Sequence, residues 1–137
     1  MVLSSFAVIE PVIKRKSDQK TNSMITIYHN PRCKKSRAGL EYLSGKTSEF
    51  ETRQYLKDDA FTVESLKEVL QILGKSPMEM IRKQEDVFKK EIKGKEFSDE
   101  ELIRKMVENP KLIHRPIIIK DAKAVWGDPA EEIDKLF

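Results

Sequence analysis

The order in which strand and helix signals follow one another constrains this chain most, and that order begins at Ile25-Thr26-Ile27-Tyr28. This short apolar run reads as a buried strand, and Asn30-Pro31 supplies turn chemistry directly after it. A helix is predicted from about Cys33 to about Gly45, with Leu40 and Leu43 facing inward, and a second strand over residues 50–55. Thr62 then caps a helix whose Val63, Leu66, Val69, Leu70 and Leu73 fall at helical spacing, and Gly74 stops it. Short helices are predicted over 77–83 and 85–92. Ser98 and Glu101 form a capping box, with Phe97 and Leu102 at the staple positions, for a helix that runs to Asn109-Pro110. Residues 116–120 read as a buried strand and 124–126 as its neighbour across a tight turn at Asp121-Ala122. Asp128 is expected to cap a last helix with Pro129 at its first position.

Strand, helix, strand, several helices, hairpin, helix is an α/β order. Its first half implies a parallel βαβ unit, and the hairpin adds an antiparallel pair. A mixed parallel/antiparallel sheet flanked by helices, with a helical insertion after the second strand, is the order of a thioredoxin-like fold. A length of 137 residues suits one such domain. No apolar run approaches the ~20 residues a membrane helix needs. Residues 1–23 read differently: a short apolar stretch precedes Lys14-Arg15-Lys16, the reverse of a secretory signal, and a polar aperiodic stretch follows. They are expected to be a flexible N-terminal extension, with the domain spanning 24–137. The extension holds four of the 26 basic and two of the 23 acidic residues, so the domain's net charge is only +1. The basic balance therefore gives little reason to expect nucleic acid.

The chain's single cysteine, Cys33, excludes an internal disulfide and a cysteine-based zinc cluster, and fits a reducing compartment, the cytoplasm. A lone cysteine is as a rule a small buried hydrophobe. A position between a turn and a helix start, flanked by Arg32, Lys34, Lys35 and Arg37, is a poor place for core filler. A helix N-terminus and nearby cations favour the thiolate, as would a hydrogen bond from Ser36 or from His29. At an ordinary pKa of about 8.5 only a few per cent of a thiol is ionised at neutral pH; at about 6.5 most of it is. Arg37 and the lysines also fit a plain solvated helix face.

Tyr28-His29-Asn30-Pro31-Arg32-Cys33-Lys34-Lys35-Ser36-Arg37 after a strand resembles the active-site signature of the glutaredoxin-coupled arsenate reductase family. The likeness continues through Met80-Ile81-Arg82-Lys83, through Phe97-Ser98-Asp99-Glu100-Glu101-Leu102 and through residues 109–117 with Arg115-Pro116. It covers nearly all of residues 24–137. The resemblance implies that Cys33 attacks arsenate or a similar oxyanion and forms a covalent adduct. Arg82 and Arg115 would neutralise and position the anion, as guanidinium forks suit tetrahedral oxyanions. It also implies a cis Arg115-Pro116 bond facing the thiol and a substrate-binding set of His29, Asn30, Ser36, Arg37 and Pro116. Read without the family, Arg82 is an ordinary surface residue and Pro116 the start of a strand. With no second thiol in the chain, an external one must resolve the adduct. The family uses glutathione as co-substrate and then glutaredoxin, with no tightly bound cofactor and no metal.

One position departs from the family pattern: Asp128 stands where the family carries a third anion-binding arginine, with Lys120 or Lys123 as candidates to compensate. Two other functions remain open on these residues. Similar proteins act as glutathione-dependent thiol reductases without arsenate turnover, and the exchange at Asp128 favours that reading. Spx-type transcription regulators share the fold and bind RNA polymerase, many through a Cys-x-x-Cys switch that Ser36 makes impossible here. Lys89-Lys90, Lys93 and Lys95 alternate with Glu91 and Glu96 and lack interleaved aromatics, so they read as a solvated face rather than a nucleic-acid surface. His29 and His114 lie far apart in sequence with no converging acidic cluster, so no metal site is expected.

Overall fold

A computed structural model describes residues 24–137; the predicted extension over 1–23 lies outside the described residues. Four strands form one sheet: β1 Ile25–Tyr28, β2 Glu51–Arg53, β3 Ile117–Lys120 and β4 Lys123–Trp126, in the order β2-β1-β3-β4. β1 pairs with β2 in parallel, and both β1–β3 and β3–β4 are antiparallel. The β1–β2 crossover is α1, Lys34–Lys46, and α2, Val63–Leu73, and α3, Asp99–Glu108, belong to the insertion between β2 and β3. This is the thioredoxin-like arrangement expected from the element order.

Two-residue alternation sorts the strands between two cores. Ile25, Ile27, Ile118 and Val125 pack with Leu43 of α1 and with Ile133 and Leu136 of the C-terminal helix. Tyr28, Ile117, Ile119 and Trp126 face the other way, onto a cluster built from α2, α3 and the loops between them. The register puts Ile27 opposite Ile118, and Ile118 opposite Val125, so one apolar row crosses three strands. Along that row the sheet is held by cross-strand contact between β-branched side chains.

The capping signals hold where the residues are local. Thr62 Oγ1 accepts the Ser65 N–H and Ser98 Oγ accepts the Glu101 N–H, each as half of a capping box. Gly74 ends α2 at φ 70°, and Asp121 turns the β3–β4 hairpin at φ 57°. Four expectations need correction. The second strand is Glu51–Arg53 rather than 50–55, because Tyr55 leaves the sheet in a turn and buries its ring in the insertion core. The helix expected over 77–83 shrinks to a 3-10 turn, Met78–Met80, since Ile81 is extended and bridges to Ile113. The segment before Lys93 closes as a π turn, Phe88–Ile92. Asp128 caps nothing: Pro129 is extended, and a 3-10 helix, Ala130–Leu136, begins one residue later than expected.

Candidate active site

Cys33 sits at the N-cap of α1 with extended backbone (φ −95°, ψ 125°), half-exposed. Its carbonyl accepts the Arg37 N–H at 2.9 Å, and its own N–H donates to the Asn30 carbonyl at 3.0 Å. The loop that delivers it is tied from inside. Asn30 Oδ1 accepts the Arg32 N–H, and the Asn30 N–H donates to Ser36 Oγ at 2.9 Å. His29 Nδ1 lies 2.7 Å from that same hydroxyl. His29, Asn30 and Ser36 are all buried. They form a polar knot behind the thiol, with the Ser36 hydroxyl turned into the loop rather than onto the sulfur. Burial, partly offset by a hydrogen bond at the Ser36 backbone and reinforced by Arg37, holds His29 below its ordinary pKa. It is therefore neutral at physiological pH.

The sulfur feels opposing effects. Partial burial is the largest single one and pushes the thiol up. The Ser36 N–H, the Arg115 guanidinium by hydrogen bond and by charge, and the Lys35 N–H together outweigh it, so the Cys33 pKa lies below its ordinary value. Unpaired N–H groups at a helix start thus do what the sequence position implied.

Arg115 and Arg82 arrive on paired chains. The Arg82 N–H donates to the Leu112 carbonyl and the His114 N–H to the Met80 carbonyl, across the Ile81–Ile113 bridge. This pairing sets Arg82 beside His114-Arg115. Arg115 is buried, and its Nη1 donates to the Lys111 carbonyl at 3.1 Å and the Ile113 carbonyl at 3.4 Å. Its Nε is buried with no hydrogen-bond partner. A guanidinium held from behind, with a donor left over, is built to receive an acceptor. Arg82 is partly engaged already, with Nε 3.2 Å from Glu85. The Arg115-Pro116 bond is cis, as the resemblance implied.

The arrangement brings Arg115 up to Cys33, sets Arg82 beside His114-Arg115 and rests Pro116 on α1 at Gly39. Arg37 instead turns back to the Pro31 carbonyl, on the exposed flank of α1. Three residues with no assigned role in the sequence reading also belong to the site. Tyr55 is buried, its hydroxyl donates to the Ile113 carbonyl, and burial pushes its pKa up to about 12 despite Arg115 and Arg82 close by. His114 stacks on Trp126 with ring centroids 4.1 Å apart, and the Trp126 indole N–H donates to the Arg115 carbonyl. Burial first, then Arg82, Arg115 and Lys35, lower the His114 pKa to about 4, although Asp128 opposes them. Lys35 Nζ in turn lies 3.2 Å from Asp128. No local pattern marks Tyr55: the carbonyl it reaches is 58 residues away.

A family model described as ArsC matches residues 28–136, almost the whole described domain. The chain belongs to the ArsC family. The Escherichia coli protein YfgD is 41% identical, over 80% of this chain and 92% of its own. A protein named arsenate reductase in Neisseria meningitidis is 35% identical, over 80% of this chain and 95% of its own. The solved arsenate reductase from Vibrio cholerae superposes with a TM-score of 0.79 at 35% identity, covering 84% of this chain and 98% of that one. The ArsC-family match takes in Cys33, Arg82 and Arg115 together. Among the described residues, no helix is long and apolar enough to cross a membrane.

Proposed function

We propose that this chain reduces arsenate to arsenite through a thiol–arsenate adduct on Cys33, resolved by glutathione and then glutaredoxin in the cytoplasm. One observation carries the reading: a thiol whose pKa is lowered by backbone N–H groups and by a buried guanidinium that still has an unpartnered Nε. A thiolate and an oxyanion repel each other, so their encounter needs fixed positive charge that costs no reorganisation. Arg115 supplies it at the sulfur and Arg82 beside it.

In the first step the Cys33 thiolate forms a sulfur–arsenic bond while one arsenic–oxygen bond breaks, and the departing hydroxide takes a proton to become water. The thiolate of glutathione then attacks the Cys33 sulfur. The sulfur–arsenic bond breaks, its electron pair stays on arsenic, and arsenic(V) becomes arsenic(III) as the mixed disulfide forms. Glutaredoxin removes the glutathionyl group and restores the thiol. The cycle needs two external thiols because the chain has one cysteine.

Intact-mass analysis after incubation with glutathione, with and without arsenate, tests this. A glutathionyl adduct on Cys33 that depends on arsenate is the expected outcome. The Lys35–Asp128 ion pair, which neutralises a cation beside the site, favours a second reading, a glutathione-dependent thiol reductase. An adduct that forms equally without arsenate would establish that reading instead.

A further inference from the structure

The three cations around this site are not equally free. Arg82 Nε is 3.2 Å from Glu85, and Lys35 Nζ is 3.2 Å from Asp128. Arg115 Nη1 is held by backbone carbonyls, Arg115 pairs with no carboxylate among the described residues, and its Nε stays bare. Lys35, Arg82 and Arg115 against Glu85 and Asp128 leave the pocket one net positive charge. With Cys33 protonated that charge balances a monoanion and leaves a dianion one charge in excess. With Cys33 ionised the site is neutral, and a dianion brings twice the unmatched charge of a monoanion.

We infer that Asp128, through its ion pair with Lys35 beside Cys33, sets the charge of the oxyanion this site accepts, admitting monoanions and disfavouring dianions. The inference rests on the reading of the site as an oxyanion pocket. It matters for arsenate because that ion exchanges a proton near neutral pH, so both charge states are offered to the site. Sulfate, a dianion throughout, offers one.

The charged groups facing Asp128 are Lys35 of α1, His114 ahead of β3, and, around a cleft of about 450 Å³, Lys75, Glu132 and Lys135. Lys135 is itself held by Glu132 at 2.7 Å. His114 stays neutral above about 4 and Tyr55 keeps its proton up to about 12. His29 is likewise held below its ordinary value. His114 and Tyr55 therefore keep their charge between about pH 6 and pH 8, and apart from Cys33 and His29 the proton that matters there is the ligand's.

The test is the rate of Cys33 alkylation by iodoacetamide in the full chain, with arsenate or sulfate as protectant. At each pH the rate is expressed relative to that without anion, which removes the direct effect of ionisation on alkylation. Sulfate, whose charge is fixed, reports any effect of Cys33 ionisation on anion binding. In the unmodified chain arsenate should protect better as pH falls through neutrality, while sulfate protects poorly throughout. Asp128→Asn should bind sulfate roughly tenfold more tightly, about 1.4 kcal/mol, and flatten the pH profile for arsenate. Lys35→Gln breaks the same ion pair from the other end and should weaken both anions. If Asp128→Asn and Lys35→Gln shift sulfate binding in the same direction, the pair is merely structural and the inference falls. Sulfate protection that climbs in step with arsenate as pH drops would assign the effect to a protein group and overturn it too. Arsenate protection that ignores Asp128→Asn removes this inference and leaves the oxyanion pocket standing. Failure of both anions to protect any of these proteins removes the pocket and the inference together.

Discussion

Replacing Cys33 by serine exchanges sulfur for oxygen at a half-exposed N-cap and leaves a residue that caps helices well. Stability should therefore hold while arsenate reduction falls to background, measured as arsenite release with glutathione and glutaredoxin. A Cys33→Ser protein that still turned over would place the chemistry elsewhere. Arg115→Gln asks the complementary question. The guanidinium acts on the sulfur by hydrogen bond and by charge, both favouring the thiolate. Its loss should move the Cys33 pKa upward and slow alkylation several-fold at neutral pH, with the pH–rate profile displaced to higher pH. An undisplaced profile would separate Arg115 from the sulfur. At this scale the sequence was most informative where chemistry is local. Cys33 was legible because turn, helix start and cations are its chain neighbours. Tyr55 and the His114–Trp126 stack were not, because each becomes part of the site only through residues distant in the chain.

Among the elements, α1 carries two glycines that its helical pattern does not explain, and they differ in what surrounds them. A Cβ on Gly39 would stand 2.5 Å from Cγ of Pro116 and 3.5 Å from the Gly127 carbonyl oxygen. The prolyl ring beside Arg115 rests on bare helix backbone, so this glycine lets α1 approach the Arg115-Pro116 segment. Nothing lies within 4 Å of a Cβ on Gly45. Gly39→Ala should destabilise by ~1–3 kcal/mol through overpacking and also slow Cys33 alkylation, since Pro116 cannot retreat without moving Arg115. Gly45→Ala, a relief of helix-interior backbone entropy, should stabilise by up to ~1 kcal/mol. Paired urea titrations read both; a Gly39→Ala protein as stable as Gly45→Ala would mean that Pro116 does not press on α1. The starts marked by side-chain caps, Thr62 of α2 and Ser98 of α3, were readable to the residue. Segments whose course depends on distant pairing were not. Ile81 is drawn out of a helix by Ile113, and Asp128 is drawn from a capping role toward Lys35.

For the molecule as a whole, the site's electrostatics should appear in the pH dependence of folding. His29 and His114 are both held below their ordinary pKa by burial and nearby cations, His114 at about 4. In the unfolded chain each titrates near 6.5. Between these values the unfolded chain binds more protons than the folded one, so stability must fall as pH drops below about 6.5. Above that value both states are neutral and the penalty vanishes. The carboxylates with lowered pKa values, Glu91, Glu101 and Asp134, lose their contributions only from about 4.5 downward, and being fully exposed they contribute little. The window from about pH 6.5 to pH 5 therefore reports the histidines. His114 is only half-buried, so solvent screening reduces its share to about 1–2 kcal/mol across that window. Urea unfolding at the two ends of the window should show a loss of this size. His114→Phe, which keeps an aromatic face for Trp126 but cannot take a proton, should abolish most of it. An unchanged slope in His114→Phe would mean that burial and the cations around it do not hold the proton off that ring, and the slope would have to come from another group.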